Sequence, residues 1–254
     1  MQREDSEAYL EKKSFFSKVL TIYGRNAVME AMEEESVVLH KLHLSKSNKD
    51  AEVLEKMKAL ASAKGIEVAY HEKKALSRIS KNAKQDQGVA LDIVLEHFGD
   101  VDSFLQKHTR YRIIALDGIQ NPQNLGMIIR SCAAGNIDAI LLPSKGTAQI
   151  SPLVIKSSAG TLFKMPILST DNLEKTLKKF HKADAMLYSL SSNATIDYKK
   201  EVYGDKSIFI LGNESEGISP KLQALSDKDI AIAMNRGVES LNVAVTAALL
   251  AFLD

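Results

Sequence analysis

Met234-Asn235-Arg236-Gly237-Val238-Glu239-Ser240-Leu241-Asn242-Val243-Ala244-Val245-Thr246-Ala247-Ala248-Leu249-Leu250 runs from small and polar residues straight into a helix without a polar stripe. A surface helix shows one polar face, whereas a helix apolar all round must be buried on every side. Burial of that kind takes its own domain and a second subunit as well, so a homodimer is expected. The polar residues at the helix entrance then line an enclosed site. Either Ser240 or Asn242 can be the N-cap, a position worth ~1 kcal/mol, and only one of them can occupy it.

Working upstream, apolar strands are expected at residues 113–116, 139–142, 185–190, 208–211 and 230–233, with helical patterns between them. That alternation makes an α/β fold with a mostly parallel sheet covered on both faces. Ligands of such sheets sit at the carboxyl ends of the strands, where two more polar segments fall. The first is Leu116-Asp117-Gly118-Ile119-Gln120-Asn121-Pro122-Gln123-Asn124-Leu125-Gly126-Met127-Ile128-Ile129-Arg130-Ser131. A helix is expected to start near Gly126, with Asn124 placed to cap it. Arg130 lies between Ile129 and Cys132 in an otherwise apolar helix, which predicts a desolvated guanidinium that must meet an anion, either Glu214 or an RNA phosphate. A purely structural ion pair is the competing reading. The second segment is Phe209-Ile210-Leu211-Gly212-Asn213-Glu214-Ser215-Glu216-Gly217. Its Gly-x4-Gly spacing is that of a phosphate loop, but Ile218 stands where such a loop needs lysine, which argues against nucleotide hydrolysis. The glycines bring backbone close to a ligand, or simply make a strand-to-helix turn.

In this order and spacing the three segments resemble the motifs of the SpoU branch of the SPOUT methyltransferases, which methylate the ribose 2′-hydroxyl of RNA with S-adenosylmethionine. The resemblance covers residues 112–254 tightly. It implies a trefoil knot, one of the rare exceptions to unknotted topology, in which the C-terminal helix threads a loop. It implies cofactor binding at Leu211, Gly212, Ile232, Met234 and Leu241, and a catalytic set of Asn124, Arg130, Glu214, Ser240 and Asn242. Ala233 departs from the usual proline, and the third motif's glycine comes one position late, at Gly237. These departures touch loop shape more than chemistry, because Ser240-Leu241-Asn242 is intact. Two roles for Arg130 stay open: taking the 2′-hydroxyl proton, or lowering that hydroxyl's pKa while fixing the neighbouring phosphate. No metal is implied.

The first 20 residues are a charged extension, and residues 21–98 read as a small α/β domain with helices at 26–33, 50–64 and 72–80 and strands at 37–44, 66–70 and 89–95. A linker is expected at 99–110, and the methyltransferase domain at 111–254. Ile22 to Ala31 is similar to the entrance of the ribosomal-protein-like RNA-binding domain attached to many SpoU enzymes. The plainer alternative is a strand turning at Gly24 into a helix capped by Asn26. RNA contacts are expected at Arg25, Lys73, Lys74, Arg78 and Lys81, since Lys84 is close by and only Glu72 and Asp86 oppose the cluster.

Whole-chain charge gives no pull toward nucleic acid: 33 Lys and Arg against 32 Asp and Glu leave a net +1, so RNA affinity must be local. The acidic N-terminus lacks an apolar signal core, and the longest apolar run, 243–253 broken only by Thr246, is shorter than the ~20 residues of a membrane span. A cytoplasmic location is expected. The single cysteine, Cys132, excludes an intrachain disulfide and reads as a small buried apolar residue. His40 and His43 are expected on opposite faces of their strand, so no shared metal is expected. The separate N-terminal domain favours ribosomal RNA as substrate. The alternatives are transfer RNA, or a non-catalytic RNA-binding protein, against which the intact polar set counts.

Overall fold

The structure is a computed structural model that describes residues 19–35, 37–80, 86–94, 98–213 and 215–253. Residues up to Glu96 belong to one compact unit and residues from His97 onward to another.

The first unit contains β1 (Val19–Tyr23), α1 (Arg25–Glu33), β2 (Val38–Ser45), α2 (Glu52–Ala63), β3 (Glu67–His71), α3 (Lys73–Ser80) and β4 (Val89–Val94). The sheet order is β1-β4-β2-β3, with β4 antiparallel to both neighbours and β2 parallel to β3. Ile22, Leu42, Leu44, Leu91 and Ile93 of the sheet, with Val28, Met32, Met57 and Leu76 of the helices, are buried and form its core. Gly24, at φ +88°, makes the turn from β1 into α1. Asn26 therefore falls inside the helix and is not its cap. Instead the Arg25 N–H, one of the unpaired amides of the first turn, donates to the Gln87 side chain at 3.1 Å.

The second unit contains β5 (Phe98–Gly99), α4 (Val101–Lys107), β6 (Tyr111–Leu116), α5 (Pro122–Ala134), β7 (Ala139–Pro143), α6 (Pro152–Ser157), β8 (Ile167–Thr170), α7 (Leu173–Lys182), β9 (Met186–Leu190), β10 (Ile196–Asp197), β11 (Lys206–Leu211), α8 (Pro220–Gln223), β12 (Lys228–Ala231) and α9 (Val243–Ala251). The strand order is β10-β12-β9-β11-β6-β7-β8-β5, and every pairing is parallel. Much of the stretch expected to be a linker is structured. The Asp100 carboxylate caps α4 by accepting from the Ser103 N–H at 2.9 Å, and Phe104 packs edge-on to Tyr111 and Phe180 in the core. What reads as turn chemistry in Asp100-Val101-Asp102-Ser103 is a helix start.

Gly135 and Gly212 are among the positions of this unit that leave no room for a side chain. A Cβ on Gly135, after α5, would lie 2.2 Å from the Ala251 carbonyl oxygen at the end of α9, and a Cβ on Gly212 would lie 2.1 Å from the Gly217 backbone. The far end of α9 is held by Asn136 N–H donating to Ala251 O (2.6 Å) and by Arg112 Nη1 donating to Leu253 O (2.6 Å). On α9 itself Val243, Ala244, Ala247, Leu250 and Ala251 are buried, while Val245 remains 48% exposed and the following Phe252 61% exposed.

Candidate active site

The carboxyl ends of β9, β11 and β12 converge on a cavity of about 430 Å³. Strand geometry selects its walls: Leu211 ends β11, Gly212 follows, and the chain leaving β12 passes Ile232 and Met234 before returning at Leu241. All five positions expected to hold cofactor line this one space, with Ser240 at its edge. Among the described residues of its wall, the charged side chains are those of Glu216 and Glu239, without Lys, Arg or His. A cavity of that charge suits a cationic ligand and opposes a di- or triphosphate. S-adenosylmethionine, with its sulfonium and ammonium groups, fits that donor set. Residues 191–193, Ser-Ser-Asn, line the same cavity and were not singled out from sequence. The signal for them was a run of small polar residues directly after an apolar strand.

The polar side of the site is built by two asparagines. Asn121 caps α5, accepting from the Gln123 N–H at 2.8 Å, with Pro122 in the first turn. The helix thus begins four residues before Gly126, and Asn124 is not its cap but a buried residue of its first turn. Asn242 takes the N-cap of α9, accepting from the Ala244 N–H at 2.8 Å, and its Nδ2 donates to Asn124 Oδ1 at 3.1 Å. Ser240 is left for the cavity.

Arg130 differs from expectation. It is exposed and makes no hydrogen bond or ion pair with any described residue. At 100° per residue it shares the outward face of α5 with Gln123, Met127 and Ala134, while Leu125, Ile128, Ile129 and Cys132 turn inward. Its expected partner Glu214 lies outside the described residues.

Two family comparisons cover most of the chain. Residues 111–252 match the SpoU rRNA methylase family, and residues 21–97 match the RNA 2′-O-ribose methyltransferase substrate-binding domain. The chain belongs to the SpoU rRNA methylase family. A Staphylococcus epidermidis protein named for the TrmH family of tRNA/rRNA methyltransferases is 30% identical over 92% of this chain and 94% of its own length. The 23S rRNA (guanosine-2′-O-)-methyltransferase RlmB of Xylella fastidiosa (strain 9a5c) is 30% identical over 91% and 94%. The fold matches that of the SpoU methyltransferase AviRb from Streptomyces viridochromogenes in complex with AdoMet (TM-score 0.66, 18% identity, 94% of this chain and 90% of that chain). It also matches an AdoMet-bound rRNA methyltransferase from Sinorhizobium meliloti (TM-score 0.65, 20% identity, 94% and 88%). As a SpoU enzyme the protein is an RNA 2′-O-methyltransferase that uses S-adenosylmethionine.

In the SpoU substrate-binding unit, Lys73, Lys74, Ser77 and Arg78 surround one shallow concavity on α3. Arg25 opens α1, half-buried, with its Nε lacking a hydrogen-bond partner among the described residues. Lys81 and Lys84 lie outside the described residues. The strict alternation that would separate His40 from His43 fails, because the register of β2 slips between Leu39 and Lys41. His43 is buried between Asp92 (3.0 Å) and His71 (2.9 Å), and Thr21 donates to the same carboxylate at 2.6 Å. Among the described residues no three metal-ligating side chains cluster, and no helix is long and apolar enough to cross a membrane. Cys132 is fully buried, and burial pushes its thiol well above the ordinary range, so it is not a nucleophile.

Proposed function

We propose that this SpoU enzyme methylates ribosomal RNA, with the methyl donor in the cavity beside Leu211, Gly212, Ile232, Met234 and Leu241 and the target ribose against Asn124, Arg130, Glu214, Ser240 and Asn242. The observation that carries this reading is the continuity of the two sides: Ser240 edges the cavity, and two residues later Asn242 is bonded to Asn124 on the helix that bears Arg130. Bound S-adenosylmethionine supplies an electrophilic methyl group. The residues hold the 2′-hydroxyl in line with it, where orientation alone can contribute several kcal/mol. Arg130 would serve in the electrostatic role, pairing with the phosphate beside the target ribose and lowering the pKa of the 2′-hydroxyl, whose proton would leave to solvent. An arginine (pKa above ~12) becomes a base only when strongly desolvated, and this one is exposed. Arg25, Lys73, Lys74, Arg78 and Lys81 contact RNA phosphates. Ribosomal RNA is supported by the RlmB relative, and the TrmH relative's name keeps transfer RNA as the second reading. Mapping 2′-O-methyl positions in total RNA with and without the protein, in the cytoplasm where these RNAs are found, decides between them. A site lost from 23S RNA supports the first reading, and one lost only from tRNA supports the second.

A homodimer belongs to this proposal. Val245 and Phe252 by α9, with Met127 on the adjoining α5, leave apolar surface that a second copy would cover. Sedimentation of the full chain is expected to give twice the 27.9 kDa monomer mass, and a clean monomer at micromolar concentration overturns it.

A further inference from the structure

The loop of the second motif is fastened by a side chain outside the expected catalytic set. Asn213 Oδ1 accepts from the N–H groups of Ser215 (2.8 Å) and Glu216 (3.4 Å). Its Nδ2 donates to the carbonyl of Gly118 at 2.9 Å, in the turn between β6 and α5. The Asn213 backbone closes the loop on itself, its N–H donating to Gly217 O (3.1 Å) and its carbonyl accepting from the Gly217 N–H (2.8 Å). A second strap runs alongside, in which the Ser219 N–H donates to the Asp117 carboxylate at 2.7 Å. Gly118, at φ +71°, takes up a backbone conformation that a larger residue would strain to reach. One amide therefore ties a cavity wall, Ser215 to Gly217, to the segment that launches the helix bearing Asn124 and Arg130.

We propose that Asn213 is a positioning residue for methyl transfer: its side chain fixes Ser215, Glu216 and Gly217 of the second-motif loop against the turn at Gly118, so that donor and acceptor sides keep one spacing. This rests on the methyltransferase reading above. Only a primary amide can donate in one direction while accepting in the other at this reach. A serine can still accept from the amide two residues on but is too short for Gly118, and an aspartate keeps the loop acceptor while turning an oxygen against the Gly118 carbonyl.

The test compares the full-length parent with Asn213→Ser and Asn213→Asp, using tritiated S-adenosylmethionine and total RNA from cells lacking the protein. Cofactor affinity is measured by calorimetry, and the folded fraction by thermal unfolding. Both variants are expected to lose kcat by roughly 10- to 100-fold, the cost of an ångström-scale misplacement. Asn213 and Ser215 line the donor cavity, so cofactor Kd is measured separately and the expected loss is the one that remains in kcat at saturating cofactor. A residue that merely stabilises the fold would lower the melting temperature and leave kcat per folded molecule intact. Either folded variant turning over within about twofold of the parent overturns the inference. If one variant does not fold, the other decides. A parent that transfers no methyl to any RNA instead overturns the reading on which the inference rests.

Discussion

Asn242 donates to Asn124 across 3.1 Å while its own oxygen caps α9, so one side chain joins two helices 118 residues apart in the chain. Serine caps as well as asparagine but cannot reach Asn124. Asn242→Ser is therefore expected to lose only the cross-link, about 1 kcal/mol, and Asn242→Ala to lose about 1 kcal/mol more with the cap. Chemical denaturation of the two variants checks the order. Equal midpoints would mean that the cap contributes nothing.

Arg130→Ala is expected to abolish methyl transfer while leaving cofactor affinity intact. Because the side chain is exposed, the stability change should stay within about 0.5 kcal/mol. Calorimetry with S-adenosylmethionine and a tritiated-methyl assay separate the effects. Lost cofactor binding by a folded protein would make Arg130 structural.

Replacing Lys73, Lys74 and Arg78 together with alanine is expected to weaken RNA binding and flatten its salt dependence, by ~0.7–0.9 slope units for each phosphate no longer neutralised. Cofactor binding should be untouched. An unchanged slope would reduce the concavity on α3 to an ordinary solvated face.

Gly135→Ala tests the passage of α9 by α5. Gly135 has φ −108°, which any residue adopts, so the cost is purely steric and is expected at about 1–3 kcal/mol. Gly204→Ala is the control, because nothing lies within 4 Å of the added carbon. Equal stability of the two proteins would show that the crossing yields easily.

The His43 network makes the first unit acid-sensitive. Burial, followed by the charge of His43, holds His71 below its usual 6.5. Burial pushes the Asp92 carboxyl up, but hydrogen bonds from His43 and Thr21 and the nearby imidazole charge outweigh it and hold the carboxyl below 3.8. In both cases the unfolded chain binds protons more readily, so stability is complete at neutral pH. It falls as pH drops below 6.5 toward the folded pKa of His71, and again below 3.8 through that of Asp92. His71→Gln is expected to remove the upper part of this slope in a denaturation series from pH 8 to 3. An unaltered slope would assign it to another group.

Much of the catalytic unit was legible because its strands are apolar runs and its ligand-facing residues sit at their ends. The five positions expected to hold cofactor line one cavity, and picking them out needed only the motifs. Ile129 and Cys132 beside Arg130 suggest burial, whereas on a helix the residues that share its face are three and four away, at the exposed Met127 and Ala134. Pro122 is the sequence marker of the first turn of α5 and puts the cap at Asn121, three residues before Asn124. Strand β8, four residues long, carries too short a pattern to be read, and the bond from Asn213 to Gly118 spans 95 residues, beyond any local signal.

The described residues that wall the cavity run from Leu190 to Thr246, all in the second unit. During synthesis the unit that ends at Glu96 is therefore complete roughly 150 residues before the donor cavity can close, an interval of about 8–30 s at 5–20 residues per second. A nascent chain would then be able to dock on RNA while still chemically inert, and the timing of modification would be set by the release of Thr246 from the ribosome.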